Sequence, residues 1–126
     1  MQAYNLRLKG DYKQAEFYYL KALEYFQKEE DQEADTRNNL AFVLGLLGNL
    51  PEANKQINRA LDIRQQRQKK HPIGLSINTR GRLNALNREY ELAKRDCLRA
   101  YALFEETETW NYIPDGDVKS PLEEWD

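Results

Sequence analysis

Between Thr36 and Ile63 the chain reads TRNNLAFVLGLLGNLPEANKQINRALDI, two amphipathic segments joined by a helix breaker. Leu40, Ala41, Leu44 and Leu47 recur at helical spacing, and Gly48 and Asn49 interrupt the run. Pro51 then opens a second segment carrying Ala53, Ile57, Ala60 and Leu61. Neither helix buries its apolar stripe alone. The second-segment pattern recurs as Gly10-Asp11-Tyr12, Ala15, Tyr19 and Ala22-Leu23 upstream, and as Tyr90, Ala93, Cys97 and Ala100 downstream. Ala15 and Ala53 are 38 residues apart, and Ala53 and Ala93 are 40 apart. A chain built this way must stack helical hairpins so that each covers the next.

The stretch resembles a tetratricopeptide repeat in its Leu40-Ala41 pair, Gly48 at the turn, and Ala53 and Ala60 in the second helix. Its units are longer than the roughly 34 residues of the standard repeat by about one helical turn. In this they resemble the repeats of kinesin light chains and of sensor regions in bacterial signal-transduction ATPases and their regulators. Ala60-Leu61-Asp62-Ile63-Arg64 and His71-Pro72 are similar to the helix end and linker of such units. The resemblance covers residues 1–106. It implies an all-α fold, a right-handed superhelical stack of about three antiparallel helix hairpins, with 107–126 a loop and a short C-terminal tail or truncated helix. Ser120-Pro121-Leu122-Glu123 there has the residues of a helix start, and Trp110, Tyr112 and Trp125 are suited to covering the end of the stack.

Composition limits the function. A chain of 126 residues, 40% hydrophobic and 32% charged, fits one solvated helical domain with a thin core. A net charge of -2 offers no general attraction to nucleic acid or an anionic membrane. One cysteine cannot form an internal disulfide, and no run approaches the ~20 apolar residues of a membrane span, so the expected setting is cytoplasmic. The acidic run Lys28 to Asp35 lacks the spacing of a calcium loop and reads as a solvated junction between repeats. Cys97 lies on a core face and His71 reads as a linker residue before Pro72. With no nucleophile beside a base, no metal spacing and no phosphate-binding glycine loop, the chain is expected to be neither an enzyme nor a cofactor carrier.

Met1 to Leu8 reads as only the end of a first helix, so either the chain is a fragment of a longer array, the favoured reading, whose exposed end would self-associate, or its first helix is short. The second is expected over Tyr12 to Glu29, its tyrosines packing between repeats. The fourth is expected over Pro51 to Lys70 and the fifth over Ile73 to Leu86. Arg64, Arg67, Lys69 and Lys70 then form an exposed extra turn, either an RNA-phosphate patch together with Arg59 or a salt contact with the acidic junction. Arg80 stands where the family has a leucine, and Asn84 where it has a larger apolar residue. Such an arginine must pair with an acid such as Glu89 or Glu91, or reach water.

In the family, first helices line a concave groove, and by register its positions here are Tyr4 and Arg7, then Asn38, Asn39, Phe42 and Leu46, then Asn78, Arg82 and Leu86. Asn38 and Asn78 are equivalent, and their amides suit an extended peptide. Asn39 matches one position of the carboxylate clamp of chaperone-binding members, but Leu75 and Thr79 stand at the matching places in the third unit. The leading expectation is an interaction module that binds a peptide or protein segment in the groove, within a larger regulatory or signalling protein. A structural spacer and an RNA-binding array using the basic stretch 59–70 are the alternatives.

Overall fold

The computed structural model describes residues 2–26 and 29–107. Among these, six α-helices follow one another and no strand occurs: α1 (Gln2–Leu8), α2 (Tyr12–Tyr25), α3 (Glu30–Leu46), α4 (Leu50–Gln66), α5 (Lys70–Leu86) and α6 (Tyr90–Thr107). They form three hairpins, α1 with α2, α3 with α4 and α5 with α6, and α2 against α3 and α4 against α5 join them into a helical repeat solenoid.

Each hairpin closes by the same backbone device. In the first, the Asp11 N–H donates to the Leu6 carbonyl at 2.9 Å; in the second, Asn49 to Leu44 at 2.9 Å; in the third, Glu89 to Asn84 at 2.8 Å. This six-residue closure needs a residue in the left-handed region just before the donor. Gly10 (φ 82°) and Gly48 (φ 88°) supply it without strain, whereas the third hairpin uses Arg88 (φ 62°). Between α4 and α5 Gln68 takes the same conformation (φ 55°), which ends α4 at Gln66.

That turn corrects two expectations. The fourth helix stops before Lys70, and Lys70, His71 and Pro72 form the first turn of α5. Pro72 is tolerated there because the first N–H groups of a helix have no intrahelical acceptor to lose. His71 is therefore a helical residue, and its ring lies 5.2 Å from that of Phe104. Likewise α2 ends at Tyr25, short of Glu29, and the acids Glu30, Asp31 and Glu33 sit in the first turn of α3, where the helix dipole favours them.

The core is continuous through the first two hairpins, with Ala3, Ala15, Tyr19, Leu40, Ala41, Leu44, Ala53, Ile57 and Ala60 all buried. The alanines read from the repeat pattern are the close-contact positions. At Gly45 the absence of a side chain lets α5 approach: a Cβ there would clash with Leu83 Cδ2. A second cluster, Leu61, Ile77, Ala100, Leu103 and Phe104, seals α5 and α6 onto α4. Burying each such large side chain contributes about 1.5–3 kcal/mol. The turn and helix start expected after residue 107 lie outside the described residues.

Two polar insertions interrupt this core. Arg80 pairs with Asp96, not with Glu89 or Glu91: its Nε and Nη2 donate to the two carboxylate oxygens at 2.9 and 2.7 Å, and Asn84 Nδ2 donates to Oδ2 at 3.0 Å. Asp96 is buried, while about a third of the Arg80 side chain reaches solvent. The Asp96 bonds raise the guanidinium's affinity for its proton, against the opposing effect of burial. The second insertion is Arg64. The sequence places it on an exposed turn, but it is 5% exposed, because α4 ends soon after it and α5 closes over it. Its Nη1 donates to Ser76 Oγ at 2.8 Å and to the Pro72 carbonyl at 3.2 Å, and its Nη2 donates to Asp35. Burial lowers its pKa and the Asp35 charge works against that lowering.

Candidate groove across the first helices

Tyr4, Phe42 and Arg82 occupy the same place in α1, α3 and α5, separated by 38 and 40 residues like the core alanines. The structure brings them together. The Arg7 guanidinium lies 5.1 Å from the centroid of the Tyr4 ring and 5.6 Å from that of Phe42, and the Arg82 guanidinium lies 5.1 Å from Phe42. The result is an alternating strip, tyrosine, arginine, phenylalanine, arginine, running across the three first helices. Each cation–π contact contributes about 0.5–2 kcal/mol and holds a planar guanidinium flat against a ring. Arg7 is buried within the strip, whereas Tyr4, Phe42 and Arg82 are half-buried.

Beside the strip runs a row of leucines one helical turn further on. Leu46 and Leu86 are 37% and 44% exposed, and Leu8, at the equivalent place in α1, is 62% exposed. Leu8 was missed by the sequence reading although it stands 38 residues before Leu46, because it is the last residue of a short α1 beside the turn. One exposed leucine signifies nothing, but the same exposed leucine in three successive units is a contiguous apolar edge.

The asparagines behave differently from their neighbours. Asn38 Oδ1 accepts from Ser76 Oγ at 3.1 Å, so α3 and α5 share a hydrogen bond in which Ser76 also receives Arg64. Asn78, its equivalent in α5, has an enclosed Oδ1 with no hydrogen-bond partner among the described residues. Asn39 is half-buried. At the corresponding Thr79 the hydroxyl donates back to the Leu75 carbonyl at 3.1 Å, so that position presents no cation and no free hydroxyl to a carboxylate.

The basic stretch is paired with acids throughout. Arg67 reaches Glu30 at 3.1 Å and Asp31 at 2.6 Å, and Lys69 reaches Asp31 at 3.0 Å. Lys70 meets Glu106, Arg59 meets Asp62 and Glu33, and Arg64 meets Asp35. The Lys69 hydrogen bond, helped by the nearby Arg67 charge, holds the Asp31 carboxyl below its ordinary pKa. The salt contact between the basic end of α4 and the acidic start of α3 is thus the observed arrangement. Burial, and after it the Arg64 charge, lower the His71 pKa below the usual imidazole value. Among the described residues no group of three potential ligands is arranged to hold a metal ion, and no helix is long and apolar enough to cross a membrane.

The tetratricopeptide repeat profile matches residues 2–66, which is α1 through α4. The chain belongs to the tetratricopeptide repeat family. Such repeats are generally protein–protein interaction modules. The matched span ends with α4, so α5 and α6, where Arg80 and Asn84 depart from the repeat pattern, extend the same architecture beyond it. No curated protein and no solved structure gives a match to the chain.

Proposed function

We propose that this tetratricopeptide repeat chain binds a segment of a partner protein across α1, α3 and α5, as the recognition part of a larger cytoplasmic regulatory protein. The observation that carries the reading is the Tyr4–Arg7–Phe42–Arg82 strip with the exposed row Leu8, Leu46 and Leu86 beside it. Aromatic rings and leucines supply apolar contact, and a stacked guanidinium presents its edge to a carboxylate. The basic end of α4 gives no comparable support to an RNA reading, since its cations already face carboxylates and no ring lies among them to stack a base. Chemistry on a bound molecule is not part of the proposal.

Fluorescent peptides with alternating apolar and acidic residues, with basic and scrambled controls, test this by anisotropy. Phe42→Ala and the pair Leu46→Ser/Leu86→Ser are each expected to weaken the acidic-apolar peptides at least tenfold, or about 1.4 kcal/mol. Arg67→Ala is expected to leave them nearly unchanged, because an exposed charge outside the contact acts only through screened attraction. Loss at Arg67 with indifference at Phe42 would move the site to the α4 end.

A spacer role has one observation in its favour. Asn78 repeats Asn38, which accepts a hydrogen bond from the following first helix, and its own oxygen is enclosed without a donor among the described residues. A further hairpin, or a second copy, stacked on α5 would supply one. Sedimentation over a wide concentration range tests this: association weakened by Asn78→Leu would support end-to-end stacking.

A further inference from the structure

Each second helix carries an exposed face at the same register, on the side opposite the buried Ala15, Ala53 and Ala93. In α2 it holds Phe17, Leu20 and Lys21. The same places 38 residues on, in α4, hold Lys55, Asn58 and Arg59, and 40 further on, in α6, they hold Arg95, Leu98 and Arg99. Residues three and four apart are neighbours on a helix, so the three faces make a band across the stack, five cations with no acid among its nine positions. Composition does not produce this, since the chain has 21 acids to 19 bases.

Most of these cations do nothing for the fold. Arg37, Arg64, Arg67, Lys69, Lys70 and Arg80 each meet a carboxylate, whereas Lys55, Arg95 and Arg99 meet none among the described residues. Arg59 meets Asp62 at 3.3 Å, and Lys21 lies 5.5 Å from the centroid of the Phe17 ring. Lys55 with Arg59, and Arg95 with Arg99, are like charges one turn apart, an arrangement that weakens a helix. The unfavourable pair recurs in two successive units, and the leucines of the band, Leu20 and Leu98, are exposed beside the cations. A local rule broken twice at one register, with no structural gain, marks a surface kept for binding.

We infer that this outer band of α2, α4 and α6 is a second docking surface whose occupant is an acidic segment of a protein, with carboxylates at Lys55, Arg59, Arg95 and Arg99 and apolar side chains at Leu20 and Leu98. Guanidinium and ammonium groups complement carboxylates in charge, and the arginines do so in shape as well. Nucleic acid fits less well, because Phe17 is the one ring in the band and leucines do not stack bases. A membrane surface fits less well, because α4, the middle helix, presents no apolar side chain in the band to enter it. A second copy meeting the same face would set cation against cation. From α2 to α6 is at most four helix-to-helix steps of about 8–10 Å, which an extended segment of roughly a dozen residues spans. With one partner in the groove of the first helices, the band holds another at the same time, and the chain bridges two proteins.

A fluorescent peptide with a central run of glutamates and a leucine at each end tests this by anisotropy against the full chain. Lys55→Glu/Arg95→Glu is expected to weaken its binding about tenfold or more, by setting carboxylates against carboxylates. The same double substitution places a glutamate four residues before Arg59 and before Arg99, a favourable helix pair, so the denaturation midpoint should not fall. Lost binding is thereby separated from lost folding. Leu98→Ser is expected to weaken the peptide several-fold, and Phe42→Ala in the groove to leave it unchanged. No binding to the unaltered chain, or binding indifferent to Lys55→Glu/Arg95→Glu, overturns the inference. So does loss at Phe42→Ala, which would move the peptide to the groove. Tighter binding of a polyuridine oligonucleotide, or of phosphatidylserine vesicles, that the same double substitution lowers would also overturn it and assign the band to nucleic acid or to a membrane. The groove stands or falls separately, on its own peptides and on Phe42→Ala.

Discussion

Asp96 and Arg80 together replace what Gln56 and Leu40 do one repeat earlier, each pair 40 residues apart. Arg80→Leu alone restores the family's leucine but leaves the Asp96 carboxylate buried beside Asn84 without its cation. We expect a loss of about 2–4 kcal/mol by chemical denaturation, in the range for breaking one side of a buried pair. Asp96→Gln added to it removes the unpaired charge and leaves a neutral amide beside Asn84, so it is expected to recover part of that loss and to give a clear coupling in the double-mutant cycle, although the Arg37 and Glu52 that hold Gln56 have only Ile77 and Leu92 as counterparts. That Arg80 needs a partner was legible from its place on a core face. The partner was not, because Glu89 on the turn and Glu91 in the first turn of α6 are nearer in sequence, whereas Asp96 becomes a neighbour only once α6 folds back along α5. Arg64 was misread for a related reason. A basic residue in a helix's last turns ordinarily faces water, and only the position of α5, which brings Ser76 and the Pro72 carbonyl, makes a buried site for it.

At the level of helices and turns the sequence was more explicit, since 3.6-residue periodicity and Gly10, Gly48 and Pro51 mark most boundaries directly. It failed where a turn carries no glycine. Gln68 and Arg88 take positive φ without announcing it, and the end of α4 was therefore set about one turn late. Non-glycine residues carry a steric cost in that conformation which glycine does not. Gln68→Gly and Arg88→Gly are each expected to stabilise the chain by roughly 0.5–1 kcal/mol, read as a raised denaturation midpoint with an unchanged slope. Gly48→Ala should do the opposite by a similar amount or more. Tyr4, Phe42, Arg82, Leu46 and Leu86 follow from the same register, so most positions in the candidate groove were legible, Leu8 excepted, even though their mutual stacking was not. A count of residues along a helix tells which side chains share a face; it does not tell that Arg7 lies between two rings from different hairpins.

Over the whole molecule, neighbouring hairpins are joined both by apolar packing and by the Arg64, Asp35, Ser76 and Asn38 cluster, which spans α3, α4 and α5. Arg64→Met keeps much of the side-chain volume and removes the bonds to Asp35, Ser76 and the Pro72 carbonyl, leaving only the Ser76–Asn38 bond of the cluster. We expect it to loosen the third hairpin selectively: amides of α5 and α6 should exchange through partial opening, with protection reduced relative to α3 and α4, in hydrogen exchange followed residue by residue. Uniform loss across all helices would mean the stack opens only as one unit. The cluster has a further consequence for the order of the hairpins. Forty residues after Arg64 stands Phe104, and forty after Asp35 stands Leu75, so the third hairpin offers an oily boundary where the second offers a charged one. The modules are therefore addressed rather than interchangeable. Transposing the second and third, or duplicating either, would set a guanidinium against Leu75 or Phe104 against Asp35, so the chain encodes its own running order in side chains that no backbone comparison would distinguish.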